Sequence, residues 1–211
     1  FPVSIVLDMM GLPQDRMDEF LQWEFNILHT NDLVARKDAI ASLKAFLMEE
    51  IEKRKQHPAE DMITSALSLE VDGRKWSTEE VFGFCFNLFV GGLDTVTANL
   101  GLHFHHLATH PEHQRELRED PSKVGLAIQE LMRAYAAVTT MRICDKETTI
   151  HGVTIKPGDR VAMSTTLGSN DPEAFDSPQE VRLDRRPVHL SLGHGIHRCL
   201  GSHLARRELR L

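Results

Sequence analysis

Cysteine is scarce: Cys85, Cys144 and Cys199 are the only three in 211 residues, an odd and widely spaced set. So few thiols exclude a disulfide framework and suggest a reducing compartment. Long hydrophobic runs are also missing. No apolar stretch reaches the length expected of a bilayer span, and no leader of signal-peptide type opens the chain, so no membrane partner is expected. Positive charge is in deficit, with 24 Lys and Arg against 31 Asp and Glu and a net charge of −7. That balance argues against nucleic acid as the main partner. No internal repeat or low-complexity tract is visible. An initiating Met is absent, and the chain stops inside an apparent helix at Leu211, so both ends read as cut.

What is present is an ordinary globular composition, 41% hydrophobic, in a chain long enough for one or two domains. The periodicity predicts mainly helix with small β-sheets. Helices are expected over 1–10, 14–28, 32–56 and 61–69, the third with Ile40, Leu43, Leu47 and Ile51 at helical spacing. Lys53-Arg54-Lys55 near its end complements the helix dipole. Asp72-Gly73 is a turn. Ser77-Thr78-Glu79-Glu80 reads as a capping box opening a helix that runs to His110, where Pro111 ends it. The middle of that helix, Val81 to Val90, is apolar nearly all round, which predicts central burial. Asp120-Pro121-Ser122 starts another helix. Strands are expected over 148–150, 152–155 and 160–162, and 175–191 is expected to wander.

Three segments carry chemistry. Leu192-Gly193-His194-Gly195-Ile196-His197-Arg198-Cys199-Leu200-Gly201 is a glycine-punctuated loop running into a helix. A lone thiolate there suits one large soft partner better than a tetrahedral metal, and haem iron is the obvious candidate. The alternative is a small buried hydrophobe. Gly91-Gly92-Leu93-Asp94-Thr95 sits within the long helix, where two glycines cost about 1 kcal/mol each relative to alanine. Either something flat lies against that backbone and the polar pair handles protons, or the helix kinks and Thr95 bonds back to the preceding turn. Asn87 and Val90 share a face with Gly91 and Asp94 and are expected to line a substrate pocket. Glu130 and Arg133 are three apart on one helical face, which by itself describes a surface ion pair.

Together these segments resemble the cytochromes P450, haem-thiolate monooxygenases whose haem loop reads Phe-Gly-x-Gly-x-His-x-Cys-x-Gly. Leu192 stands where the family usually has Phe, a residue that packs near the sulfur and tunes the iron. The resemblance covers essentially the whole of 1–211 as one partial domain, since members of the family run to roughly twice this length. It implies haem b (iron protoporphyrin IX) with Cys199 as axial ligand. His197 and Arg142 would contact propionates, and Gly91, Gly92, Leu192, Gly193 and Gly201 would lie against the cofactor. Thr95 would hydrogen-bond bound oxygen, Asp94 would relay protons, and Val138 would touch substrate beside Asn87 and Val90. Glu130 and Arg133 would lock to Arg185 or Arg186. Thr140 stands where close relatives can carry an acid.

The likeness is nearest to the bacterial camphor-hydroxylase group, through Phe1-Pro2, Gly11-Leu12-Pro13, Val90 to Val96, His151-Gly152 and Gly201 to Glu208. It implies a soluble cytoplasmic enzyme that takes O2 and a small, terpenoid-like hydrophobe. Electrons would come from a 2Fe–2S ferredoxin and its NADH-dependent reductase, docking near Arg198 and Arg206. Residues 25–30 would form part of the pocket roof. The alternative is a haem-binding but catalytically incompetent fragment. His103, His105, His106, His110 and His113 are read as helix-end residues facing solvent rather than as a metal site.

Overall fold

The computed structural model describes all residues, Phe1–Leu211, and divides into two compact units, Phe1–Thr97 and Ala98–Leu211. The first holds helices α1 (Pro2–Met9), α2 (Met17–Leu28), α3 (Leu33–Gln56), α4 (Met62–Ser68) and α5 (Thr78–Leu93). A small hairpin, β1 (Glu70–Val71) with β2 (Arg74–Lys75), turns at Asp72-Gly73. Helix α6 (Thr95–Thr109) leads into the second unit, which adds α7 (Pro111–Glu119), α8 (Val124–Ala134), α9 (Thr165–Ser169) and α10 (Ser202–Glu208). Its strands are β3 (Thr139–Ile143), β4 (Thr148–Ile150), β5 (Val153–Ile155) and β6 (Arg160–Ser164), paired antiparallel as β3–β6 and β4–β5.

Local chemistry sets the helix starts. The Asp32 carboxylate accepts from the N–H groups of Val34 and Ala35 and caps α3. Ser77 and Glu80 form the expected capping box on α5. Arg74 grips the same Glu80 with two 2.7 Å bonds, which, with the Ser77 N–H, hold its carboxyl at about 2. The first unit then closes on one apolar core. On α3 the buried residues are Ala39, Leu43, Phe46, Leu47, Glu50 and Ile51, the one-sided spacing of a packed helix. Phe20 of α2 meets Phe46 at 5.0 Å and Phe89 of α5 edge-on at 5.6 Å. Cys85 lies in this core, where burial pushes its thiol up to about 11, far from reactive.

Three expectations need correction. The helix from Thr78 does not run unbroken to His110: it is interrupted at Asp94, where the Thr95 hydroxyl bonds back to the Gly91 carbonyl at 2.8 Å. Nor is its middle buried all round. Only Val81, Cys85, Phe89 and Leu93 of α5 are buried, the stripe facing α1, α3 and α4, while the other apolar residues pack at its margins. Finally, Thr78–Thr109 taken as one segment is long and apolar enough to cross a bilayer. The interruption at Asp94 leaves α5 with 16 residues and α6 with 15, each short of the roughly 20 a span requires.

Candidate functional site

In the first unit, the end of α5 carries the glycine and acid–alcohol segment. Gly92 is required by packing: a Cβ there would come within 2.9 Å of both Val6 methyls of α1. A Cβ on Gly91 would meet open space, so its backbone is the accessible one. Val90 is half-buried and Asn87 exposed. Asp94, the C-cap of α5, is not unpaired. His29 Nε2 lies 3.2 Å from its Oδ2 and 4.0 Å from Glu24 Oε1. Glu24 is buried, and that burial, with Asp94 nearby, pushes its carboxyl up. Sequence reasoning missed Glu24 and His29. The only signal is the resemblance that sets residues 25–30, and so His29 but not Glu24, near the pocket; a polar pair at the end of an amphipathic helix looks like surface.

In the second unit, Glu130 and Arg133 are the most completely buried ion pair of the chain, both at 0% side-chain exposure. The surface-pair reading of the spacing is therefore wrong for α8. Arg133 forks onto Glu130 at 2.8 and 2.9 Å, and Arg185, rather than Arg186, supplies the third member at 3.0 Å to Glu130 Oε1. The remaining donors of Arg133 reach the carbonyls of Ser169, Pro178 and Glu180 at 2.8–3.1 Å, and those of Arg185 reach Asp176, Ser177 and Glu180. The first part of the irregular stretch, Asp176 to Glu180, thus has its backbone fixed by two guanidiniums in place of a helix or sheet.

That stretch delivers the cysteine loop. Ser191 Oγ donates to the Met132 carbonyl of α8, and Leu190 N–H to Ser169 Oγ. Gly193 takes φ +69°, and a Cβ there would come within 2.8 Å of the His197 carbonyl, so only glycine closes the turn. Gly195 likewise sits at φ +62°. The Cys199 N–H donates to the Leu192 carbonyl at 2.7 Å, which brings the two positions of the motif together, and Gly201 is the N-cap of α10. Cys199 is exposed, and so is the apolar side chain beside it, Ile196, at 97%. One accessible thiol on a fixed loop among exposed apolar side chains fits a flat apolar group with a single axial position. It is a poor tetrahedral site, because no second thiol or carboxylate joins it.

His197 and Arg142 are exposed, Arg142 on β3 opposite Val161, and Val138 is half-buried just before that strand. Thr140 lies on β3 opposite Met163. Arg198 is exposed as expected, but Arg206 is half-buried, its Nε 3.3 Å from Gln129 Oε1. The histidine cluster also differs from expectation. His103 and His106 are buried and pushed down to about 4, chiefly by that burial. His106 sits 2.8 Å from both the Tyr135 hydroxyl and His113 Nδ1 and stacks on His110 at 4.1 Å. The cause is α7, which begins at Pro111 and brings His113 back against α6.

The cytochrome P450 family model matches residues 5–125 and 124–211. Cytochrome P450 127A1 of Sinorhizobium fredii is 38% identical over 210 residues, covering 99% of this chain and 50% of that protein. The biotin biosynthesis cytochrome P450 of Bacillus subtilis is 33% identical over 224 residues, covering 100% of this chain and 56% of that protein. Among solved structures, the Bacillus subtilis bacillaene polyketide synthase cytochrome P450 PksS superposes with a TM-score of 0.91 at 29% identity, covering 99% of this chain and 55% of that one. The chain spans about half the length of the curated relatives it matches.

Proposed function

The chain belongs to the cytochrome P450 family, whose members bind haem b, and from that premise we propose that it serves a haem-thiolate monooxygenase acting on a small hydrophobic substrate. The observation that carries this reading is the Cys199 loop, closed by its own backbone and tied to α8 through Ser191, at the end of a segment that the buried Glu130–Arg133–Arg185 cluster holds. When bound, the haem supplies activation of O2 for insertion of one oxygen atom into a C–H or C=C bond. Cys199 would hold the iron through its thiolate. Gly193 and Gly195 keep side chains out of the turn that presents the sulfur. Leu192 occupies the position beside it and gives a smaller apolar contact than an aromatic ring would.

Arg142 and His197 would hold the two propionates, Arg142 through its planar fork. Asp94, next to Thr95 in the chain, would relay protons toward the Thr95 hydroxyl. By the resemblance, Asn87 and Val90 would face the substrate, as would Val138, and Asn87 would favour a substrate bearing a hydroxyl or carbonyl. The relatives' names span biotin biosynthesis, mycinamicin IV, vitamin D(3) and a steroid. The camphor-group likeness of Val90 to Val96 narrows our reading to a terpenoid-like substrate. It also points to a 2Fe–2S ferredoxin with an NADH-dependent reductase as donor, docking near exposed Arg198. Such docking would weaken with salt.

The test is the carbon monoxide difference spectrum of the reduced, haem-reconstituted chain. A strongly red-shifted Soret band, lost in Cys199→Ser, is the expected result. A band of histidine- or thiol-ligated haem would overturn the ligand assignment.

A further inference from the structure

The ends of two helices converge in the first unit, and three potential metal ligands meet there. His29 is the C-cap of α2, Glu24 lies five residues earlier on the same helix, and Asp94 is the C-cap of α5. The helices are held in register by the edge-on contact of Phe20 with Phe89. Glu24 Oε1, His29 Nε2 and Asp94 Oδ2 fall 3.2 to 4.0 Å apart for the pairs involving His29, and all three lie within 4.8 Å of one another. Ligands at about 2.1 Å from a tetrahedral zinc lie about 3.4 Å apart, so one edge is already of that length and the others need contraction by an ångström or so.

A second observation is independent of this spacing. Glu24 is only 4% exposed, and its Oε1 accepts no hydrogen bond. Burying a carboxylate oxygen without a partner is expensive, and a second carboxylate, Asp94, nearby raises that cost. The carbonyl end of α2 adds partial negative charge at the same place. Two carboxylates and one helix C-terminus against one imidazole leave a deficit of positive charge. Access is open on the other side, since the His29 side chain is 46% exposed and that of Asp94 33%.

We propose that Glu24, His29 and Asp94 form a binding site for a divalent cation of the zinc class. Glu24 Oε1, His29 Nε2 and Asp94 Oδ2 are the protein ligands, and water completes the shell on the exposed side. The donor set selects among cations. One imidazole with two carboxylates suits zinc, cobalt or nickel. Three ligands are too few for calcium, which takes six to eight oxygens. On the reading of Asp94 as a proton carrier, which is the part that rests on the proposed function, the bound cation withdraws that carboxylate from proton transfer. Zinc would then act as a reversible inhibitor of turnover.

The experiment is isothermal titration of Zn(II) into the 211-residue chain, with circular dichroism confirming that each variant stays folded. One equivalent is expected to bind. Glu24→Gln and His29→Ala are each expected to weaken binding by at least about tenfold, the lower range for disturbing a metal site. His113→Ala, which alters the separate stack of His106, His110 and His113, is expected to leave binding unchanged. No saturable heat, a titration unchanged in both site variants, or a loss caused by His113→Ala would each overturn the site. The carbon monoxide spectrum separates the two readings. A red-shifted band without zinc binding sinks the cation site alone, and zinc binding without that band sinks the haem assignment alone.

Discussion

The two units are held by different forces. In Phe1–Thr97 the interior is aliphatic and aromatic, with Leu7, Phe20, Leu43, Leu47, Ile51 and Phe89 nearly inaccessible, and polar groups serve at helix ends. In Ala98–Leu211 the irregular path from Ser169 to Cys199 hangs on charged and polar donors, with Glu130 and Arg133 at the centre. Packed helices satisfy their own backbone and need only shape from side chains. A stretch without helix or sheet has carbonyls to satisfy, and a fully donating guanidinium is an efficient way to do it.

Acid should expose this difference most strongly. His103, His106 and His189, all in the second unit, are held down near 4 against an ordinary value of 6.5, burial being the main cause in each. A depressed imidazole takes up its proton more readily in the unfolded chain, so its contribution to stability is complete above about pH 6.5. That contribution falls as the pH drops and is gone below about 4. In the first unit the depressed carboxylates of Glu80 and Asp61 lose theirs only at lower pH. Hydrogen exchange at pH 5 should therefore show Ala98–Leu211 losing protection first. Equal loss across both units would break the comparison.

Next in size is Glu130→Ala, which leaves Arg133 and Arg185 without their carboxylate and should cost about 3–5 kcal/mol. The same variant should lose haem, and denaturant melting with exchange mapping should place the damage at 169–199. Full haem retention would mean that the ion-pair cluster does not hold the cysteine loop. Leu47→Ala is the mirror experiment. A cavity in the first unit should cost about 2–5 kcal/mol and loosen α2, α3 and α5 instead. The smallest effect sharpens the reading of the glycine pair. Gly91→Ala meets open space and should raise the unfolding free energy by up to about 1 kcal/mol. Gly92→Ala should lower it by pressing on Val6.

Features decided within a few residues were legible in the sequence. The Asp32 cap, the Ser77–Glu80 box, the Asp72-Gly73 turn and the Cys199 loop all rest on neighbours in the chain. The order of helices followed from apolar spacing. What escaped depends on contacts distant in sequence. The buried state of Glu130 and Arg133 comes from carbonyls 36 to 47 residues away, and the choice of Arg185 over its neighbour depends on where the chain turns. The break at Asp94 was visible only as one of two readings, because Thr95 can bond backward with or without a ligand nearby. His29 found Asp94 across 65 residues, with no pattern to announce it.

The Arg133 contacts carry a consequence for inheritance. Apart from Glu130 and Asn170, its hydrogen-bond partners are peptide carbonyls at Ser169, Pro178 and Glu180. A peptide carbonyl is the same whichever residue bears it. The path of this segment is thus specified by an arginine elsewhere in the chain, and its own side chains are released from that duty. Substitutions at 178 and 180 can accumulate without moving the backbone, whereas the arginine admits no substitute, since lysine offers one point charge in place of a five-donor fork.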